Sequence, residues 1–356
     1  MLSGGRAACV VQTHACTVGG SVTMDGHDDP DGTGAAQRPW AVLASGELAL
    51  AAVLVVVIAL VLRAATSIVW FGDLLAIGLP VLGLAAFVAL VGCVALGISR
   101  RWRLVLWCVG TACVALTFQP RVGFGGDPPV DPVVLVAANL KWNSRSAEAG
   151  ATDVVAADAD VAVISEIRPP TDRLLRAAFP HRAIGAPEIS KGGSDQAVYS
   201  RFALEVVEHS GLPTNSIVVR VDAPHPFTLI AIHVPRPVLR YRGGDGITSF
   251  AAHRRAIEQL AGVISNLSAD GPVVLAGDLN LSDRMAGYRR LREELDDALV
   301  DGVAGGTFFP DALWAPLSLR IDHILISPSW CSGSAGTIDV EGSDHRAVRA
   351  AIGPCP

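Results

Sequence analysis

Three apolar runs between Trp40 and Pro120, separated only by short polar or basic breaks, constrain this chain more than any other feature of its sequence. The first covers Ala41 to Leu62, with Glu47 near its start and no polar residue from Leu48 to Leu62. At about 1.5 Å per helical residue it can cross a hydrocarbon layer of roughly 30 Å. The second covers Leu74 to Ile98 and contains Pro80, which membrane helices tolerate as a kink. The third, Leu104 to Phe118, is shorter and reaches crossing length when Arg103 snorkels and the helix extends to Pro120. With 51% hydrophobic and only 17% charged residues, the chain is too apolar for one ordinary soluble domain. Residues 40–120 are therefore expected to form a membrane domain of three transmembrane helices. A buried helical core in a soluble domain is disfavoured because so few charges interrupt the runs.

Basic residues set the expected orientation. Arg100, Arg101 and Arg103 form the densest cluster, between runs two and three, and such loops face the cytoplasm. Arg38 then lies inside as well, against Arg63 and Arg121 on the other side. The N-terminus is expected inside, with three crossings and an extracytoplasmic C-terminal part, provided that the third run crosses. Residues 1–39, with the acidic stretch DGHDDPDG and no apolar periodicity, are expected to be disordered. They lack the order of regions that marks a secretory signal peptide, and Met24 offers an alternative start. Residues 121–130 read as a Gly/Pro linker.

From Asp131 onward 21 Lys and Arg face 27 Asp and Glu, so no general affinity for nucleic acid follows from charge. None of the seven cysteines forms a CxxC pair or a zinc-like cluster. Cys93, Cys108 and Cys113 fall in apolar runs as small buried residues. Cys331 and Cys355 can pair if their domain faces an oxidising compartment, which spacing alone does not decide.

Residues 131–356 alternate short Val/Ile-rich runs with helical patterns. Strands are expected at Val133–Ala138, Val161–Ser165, Ile217–Val221, Phe227–Ile232, Val273–Ala276 and Ile321–Ile326. Helices are expected near Ala147–Ala157, Arg173–Ala178, Ser249–Leu267 and Arg284–Leu295. No Gly-rich loop follows the first strand, which argues against a nucleotide-binding unit. Polar residues gather at the strand ends: Asn139, Glu166, His233, Asp278 with Asn280, Asp322 with His323, and Asp344 with His345. Six such places in one domain suggest a convergent site, and oxygen and imidazole donors without thiolate suit Mg2+ or Mn2+.

The segments VVLVAANLKWN, DVAVISEI, LIAIHVP, GPVVLAGDLNLS, RIDHILIS and GSDHRAV resemble, in order and spacing, the signature blocks of the endonuclease/exonuclease/phosphatase family. That resemblance implies an α/β fold, the DNase I-like four-layer sandwich, and a divalent-metal-dependent phosphoesterase. It implies that Glu166 binds the metal, with Asn139 and Asp344 beside it. Asn139 follows Ala138, where family members often carry an aromatic residue. Asp278 and Asn280 match the block that positions the attacking water or leaving group and binds a phosphate oxygen. His345 matches the terminal histidine, oriented by Asp322, and His233 matches the general acid of the DNase I-like and sphingomyelinase-like branches. His323 is left out, because successive strand residues point to opposite faces. Arg236, Arg240 and Arg242, in the loop after His233, stand equally as substrate-phosphate ligands, lipid-headgroup contacts or solvated side chains.

The expected activity is hydrolysis of a phosphodiester, phosphomonoester or pyrophosphate, lipid-linked or not, at the outer membrane face. The expected partners are the bilayer and a phosphorylated substrate, with no protein partner inferred. A membrane-tethered DNA nuclease and a non-catalytic scaffold are the alternatives. The first lacks a basic, aromatic-bearing insertion, and the second is disfavoured because every signature residue is present.

Overall fold

A computed structural model describes residues 39–119, 122–124, 127–185, 195–213, 216–240, 242–243, 246–299, 301–303, 305–308 and 318–356. Of residues 39–49, 69–70, 122–124, 195 and 301–303 it describes the backbone alone. The segment expected to be disordered, apart from Pro39, and the alternative start at Met24 lie outside the described residues.

The apolar runs are helices, α1 (Pro39–Ala65), α2 (Val69–Ala95) and α3 (Arg100–Phe118). Two of them, not three, are long and apolar enough among the described residues to cross a membrane: Phe71–Ala95 and Arg100–Phe118. Of α1, the described apolar part is the shorter Leu50–Ala65. Only 28% of each crossing-length window is buried, and Val81, Leu84, Val88 and Val91 of α2 are left bare. A core helix of a soluble domain would instead be mostly covered. α2 ends three residues before the expected Ile98, where Gly97 takes a positive φ and closes the helix.

The C-terminal part is built on two six-stranded sheets. The first runs in the order β15 (Trp330–Asp339), β16 (Arg346–Pro354), β2 (Val133–Asn139), β3 (Val161–Ile167), β5 (Asp195–Ser200) and β4 (His181–Ile184). The second runs β12 (Asp296–Asp297), β14 (Asp322–Ile326), β11 (Val273–Asp278), β8 (Phe227–His233), β7 (Ser216–Val221) and β6 (Leu204–Val206). The central strands are buried on both faces, which is why they read as continuous apolar runs rather than alternating ones. One face of each sheet meets the other in a shared core that joins Leu135, Val163 and Val348 to Val219, Leu229, Val274 and Ile324. The outer face of the first sheet is covered by α4 (Ala147–Ala156) and α5 (Pro169–Ala178) through Ala151, Val154 and Leu175. That of the second is covered by α6 (Phe250–Leu267) and α7 (Ala286–Leu291) through Ile257, Leu260 and Leu291. The result is helix, sheet, sheet, helix.

Several expected boundaries move for physical reasons. α5 starts at Pro169, four residues before the expected Arg173, because proline suits the first helical position and Thr171 bonds back to Arg168. The expected helix Arg284–Leu295 shrinks to α7. Beyond it the chain turns so that Asp297 can pair with the fully buried Arg320 at 2.6 Å. The Gly- and Ser-rich β15 and the mixed β16 take their register from β2, which local composition does not reveal. Val122–Phe124, in the segment expected to be a linker, forms β1 and pairs with β13 (Asp301–Val303). Cys331 and Cys355 form a disulfide that fastens the β15–β16 edge.

Candidate functional site

The strand-end residues come from both sheets to one edge of the sandwich. Asn139 ends β2 and Glu166 lies near the end of β3, parallel neighbours in the first sheet. His233 ends β8 and Asp278 ends β11, directly paired, and Asp322 opens the antiparallel β14 opposite Asp278. Close approach of β11 to β8 needs Gly277, whose φ is +137° and where an added Cβ would lie 2.0 Å from the Ile232 carbonyl oxygen. Three of the six non-glycine residues with positive φ among the described residues, Lys141, Glu166 and Asn280, stand at this edge. Such strain persists only where the surroundings enforce it, and it concentrates at functional sites. At Glu166 it coincides with a register shift between β3 and β5 that re-aims the side chain.

Asn139 ties the carboxylates together. Its Nδ2 donates to Glu166 Oε1 and to Asp278 Oδ2, both at 3.0 Å. Its Oδ1, the atom a metal ligand would use, accepts the Lys141 N–H at 2.9 Å. Glu166 Oε2 accepts the Trp142 N–H, and Asp278 Oδ1 accepts the Asn280 N–H. Asn280 Nδ2 donates to the Val234 carbonyl, leaving one amide hydrogen for another acceptor.

His345 Nδ1 is 2.9 Å from Asp322 Oδ2, which fixes the ring so that Nε2 faces Asp278 Oδ2 at 3.9 Å. Phe308 packs against the ring at 5.0 Å between centroids. The other side of Asp322 is anchored by Thr307, whose Oγ1 accepts the N–H groups of Ile321 and Asp322. His233 Nε2 stands 3.7 Å from Asp278 Oδ2 and 3.9 Å from Glu166 Oε1, near enough to share charge but too far for a hydrogen bond. Asp344 lies at the rim, paired with Lys141 at 3.3 Å. His323 points to the opposite face, where its Nε2 meets the Leu281 carbonyl at 2.8 Å. Arg236, Arg240 and Arg242 are exposed, and no hydrogen bond or ion pair among the described residues joins them to the cluster.

The electrostatics are dominated by crowded negative charge. Asp278 is held above the usual carboxyl range, first by burial and then by the facing Asp322 carboxylate, with His345 and His233 pulling the other way. For His345, burial favours the neutral ring. The carboxylates of Asp322, Asp278 and Asp344 outweigh it and push the pKa up to about 10. Because this folded value exceeds the unfolded one near 6.5, the pair stabilises the fold fully below about pH 6.5 and loses that contribution as pH rises through about 10. In chelator, the melting temperature should therefore fall further from pH 7 to pH 10 in the wild type than in His345→Asn. Equal slopes would contradict this charge assignment.

The donor set suits a hard divalent cation. Asp278, Asp322 and His345 each offer an atom within 4.8 Å of the others, with Glu166 alongside and no thiolate.

Several supports escaped the sequence reading. Ser343 was within reach of it, standing in the GSDHRAV segment; its Oγ donates to the Asn139 carbonyl and accepts the His345 N–H. Lys141 likewise lay in the quoted NLKWN. Thr307 and Phe308 carried no signal at all, since their roles exist only once β14 and β16 are assembled.

A model of the Endonuclease/Exonuclease/phosphatase family matches residues 139–345 of this chain. Solved structures similar to it include the endonuclease/exonuclease/phosphatase from Beutenbergia cavernae DSM 12333, at 19% identity over 64% of this chain and 72% of that one, TM-score 0.46. Another is the endonuclease/exonuclease/phosphatase from Bacteroides vulgatus, at 16% identity over 63% of this chain and 100% of that one, TM-score 0.48. A third is humanized D. rerio TDP2, at 16% identity over 63% and 99%, TM-score 0.47. No curated protein matches the chain.

Proposed function

Because this chain belongs to the endonuclease/exonuclease/phosphatase family and is on that ground a phosphoester hydrolase, we propose that it is a divalent-cation-dependent phosphoesterase of the outer membrane surface, acting on lipid-linked phosphate or pyrophosphate. The observation that supports the cation dependence is the pair of carboxylates, Glu166 and the buried Asp278, gathered by Asn139 beside Asp322 and His345. Glu166 and Asp278 would hold Mg2+ or Mn2+, with Asn139 keeping the two carboxylates in place and Asp344 at the rim. When bound, the cation would neutralise phosphate oxygens and offset the carboxylate charge that keeps His345 protonated.

The chain's own groups divide the remaining work. Asp322 holds His345 Nδ1, so that Nε2 is free to take a proton from water as the water oxygen forms its bond to phosphorus. The bond to the leaving oxygen breaks in line, and His233 supplies that oxygen with a proton. The free amide hydrogen of Asn280 binds a phosphate oxygen as charge develops there.

The surface location draws support from four observations. α2 and α3 are long and apolar enough to cross, and Arg100, Arg101 and Arg103 stand in the first turn of α3, next to the turn from α2, as at a cytoplasmic helix end. Arg63 near the end of α1 bonds Gln119 just after α3, which favours those two ends on one side of the membrane. The Cys331–Cys355 disulfide suits an oxidising compartment. A topology reporter fused after Gly126 should therefore behave as extracytoplasmic, and Cys331 and Cys355 should resist alkylation in unreduced cells. A reporter active only in the cytoplasm, or two freely alkylated thiols, would overturn the orientation.

The exposed Arg236, Arg240 and Arg242 are equally compatible with a nucleic-acid phosphate backbone. A substrate panel with the purified full chain separates the readings: duplex DNA, a soluble phosphodiester and a polyprenyl pyrophosphate, each with Mg2+ or chelator. Preference for the lipid-linked substrate is expected. Preference for DNA would replace this reading with the tethered nuclease.

A further inference from the structure

The apolar helices do more than tether the catalytic domain. Asp73, the fifth residue of α2 and almost wholly buried, receives two bonds from Arg254 of α6: Nε to Oδ2 at 2.5 Å and Nη2 to Oδ1 at 2.9 Å. In the turn between α1 and α2, Thr66 and Ser67 accept bonds from Arg289 Nη2 at 3.1 and 2.9 Å, while Arg289 Nη1 holds the Arg284 carbonyl. Ala76, with Leu74 and Ile77 packed beside it, joins the apolar cluster that contains Leu279, Leu281 and Met285. Leu279 and Leu281 flank Asn280, and His253, next to Arg254, bonds the Leu279 carbonyl at 3.1 Å. The domain is thus seated on α2 through α6 and α7, and the apolar cluster behind that seat includes the two residues that flank Asn280.

The arginine loop lies on the same side. After His233 the chain forms β9 (Arg236–Val238), which pairs with β10 (Ile247–Ser249) so that Val238 lies beside Ser249, the cap of α6. Neighbouring strands are about 5 Å apart, and Arg254 lies roughly 7.5 Å further along the helix. Leu239, immediately after Val238, is 67% exposed, and Arg236, Arg240 and Arg242 around it are exposed as well. An uncovered leucine among arginines fits a layer that is anionic at its surface and apolar beneath.

We infer that α2 and the α1–α2 turn seat the catalytic domain with its site edge and the Arg236–Arg242 loop against the bilayer, so that the enzyme draws its phosphate group from lipid in the same membrane. Asp73 and Arg254 are positioning residues, since neither belongs to the cluster at the site. The inference rests on the phosphoesterase reading above and adds to it the surface from which substrate arrives.

The test uses the full chain in nanodiscs with two substrates, a polyprenyl pyrophosphate in the disc and soluble bis(4-nitrophenyl) phosphate. Asp73→Arg and Arg254→Asp should each lower kcat/KM on the lipid substrate by about 10-fold or more, chiefly through KM, and leave the soluble substrate within about 2-fold. The double exchange should restore lipid turnover. Arg289→Gln, which keeps the buried ion pair, should show the same selective loss in weaker form if the exchanges fail to fold. Equal losses on both substrates, or none on the lipid one, would overturn the seating. Independently of turnover, an environment-sensitive fluorophore on Leu239→Cys should report apolar contact in discs containing anionic lipid, and a fully aqueous signal would contradict the inference. Should the wild type hydrolyse neither substrate, the phosphoesterase reading fails while the fluorophore still decides the seating.

Discussion

Replacing His345 with alanine is expected to lower phosphoester hydrolysis by about 100-fold or more while the domain stays folded, with a lower melting temperature at pH 7 because the charged pair with Asp322 is lost, and Glu166→Ala is expected to lower hydrolysis as far with little change in melting. Both side chains reach the site edge from strand ends and contribute little to the cores, which are built from Leu135, Leu229, Val274 and their neighbours. Losing the imidazole removes the proton acceptor that Asp322 holds at 2.9 Å. Losing the Glu166 carboxylate removes one of the two charges that Asn139 gathers. Either loss corresponds to about 3 kcal/mol of transition-state stabilisation. His323→Ala is the matched control with the opposite signature. That ring is fully buried, bonded to the Leu281 carbonyl and packed 5.1 Å from Tyr288, so its removal should cost about 2 kcal/mol of stability while sparing the chemistry. An inactive His323 variant with normal melting, beside an active His345 variant, would reverse the assignment of the two histidines.

Gly277→Ala should prevent accumulation of folded protein. Its φ of +137° is a conformation that residues with a Cβ rarely adopt, and the added atom would lie 2.0 Å from the Ile232 carbonyl oxygen. Relief by local movement is blocked, because Gly277 and Ile232 are register partners in the parallel β11–β8 pair at the centre of the second sheet. Strain and overpacking add here, for a loss of about 4 kcal/mol or more. A variant melting within a few degrees of the wild type would mean that β11 and β8 are not held this closely.

Legibility in the sequence followed the range of the interactions involved. Asn139, His233 and Asp278 were visible because each closes an apolar run that is buried on both faces, and the break in polarity marks the strand end. The separation of Asp322 from His323 was visible because strand side chains alternate. The seat of the domain on α2 was not, since Asp73 and Arg254 are 181 residues apart and each reads locally as an isolated charge. β15 and β16 were missed for a related reason: WCSGSAGTID has little strand character of its own and is ordered by its neighbour. The helix expected at Arg284–Leu295 ends at Leu291, and the chain beyond it turns toward the pairing of Asp297 with the buried Arg320, a distant contact that local periodicity does not register.

If the edge formed by Asn139, Glu166, Asp278, Asp322 and His345 is a cation-dependent phosphoesterase site, turnover must follow the cation. The most direct measurement follows hydrolysis of a soluble phosphodiester by the purified full chain, first stripped with excess chelator and then titrated with Mg2+ or Mn2+. The predicted result is no turnover in chelator, saturable recovery with either cation, and no recovery in Glu166→Ala or His345→Ala. Full turnover in excess chelator, unchanged by added cation, would contradict it.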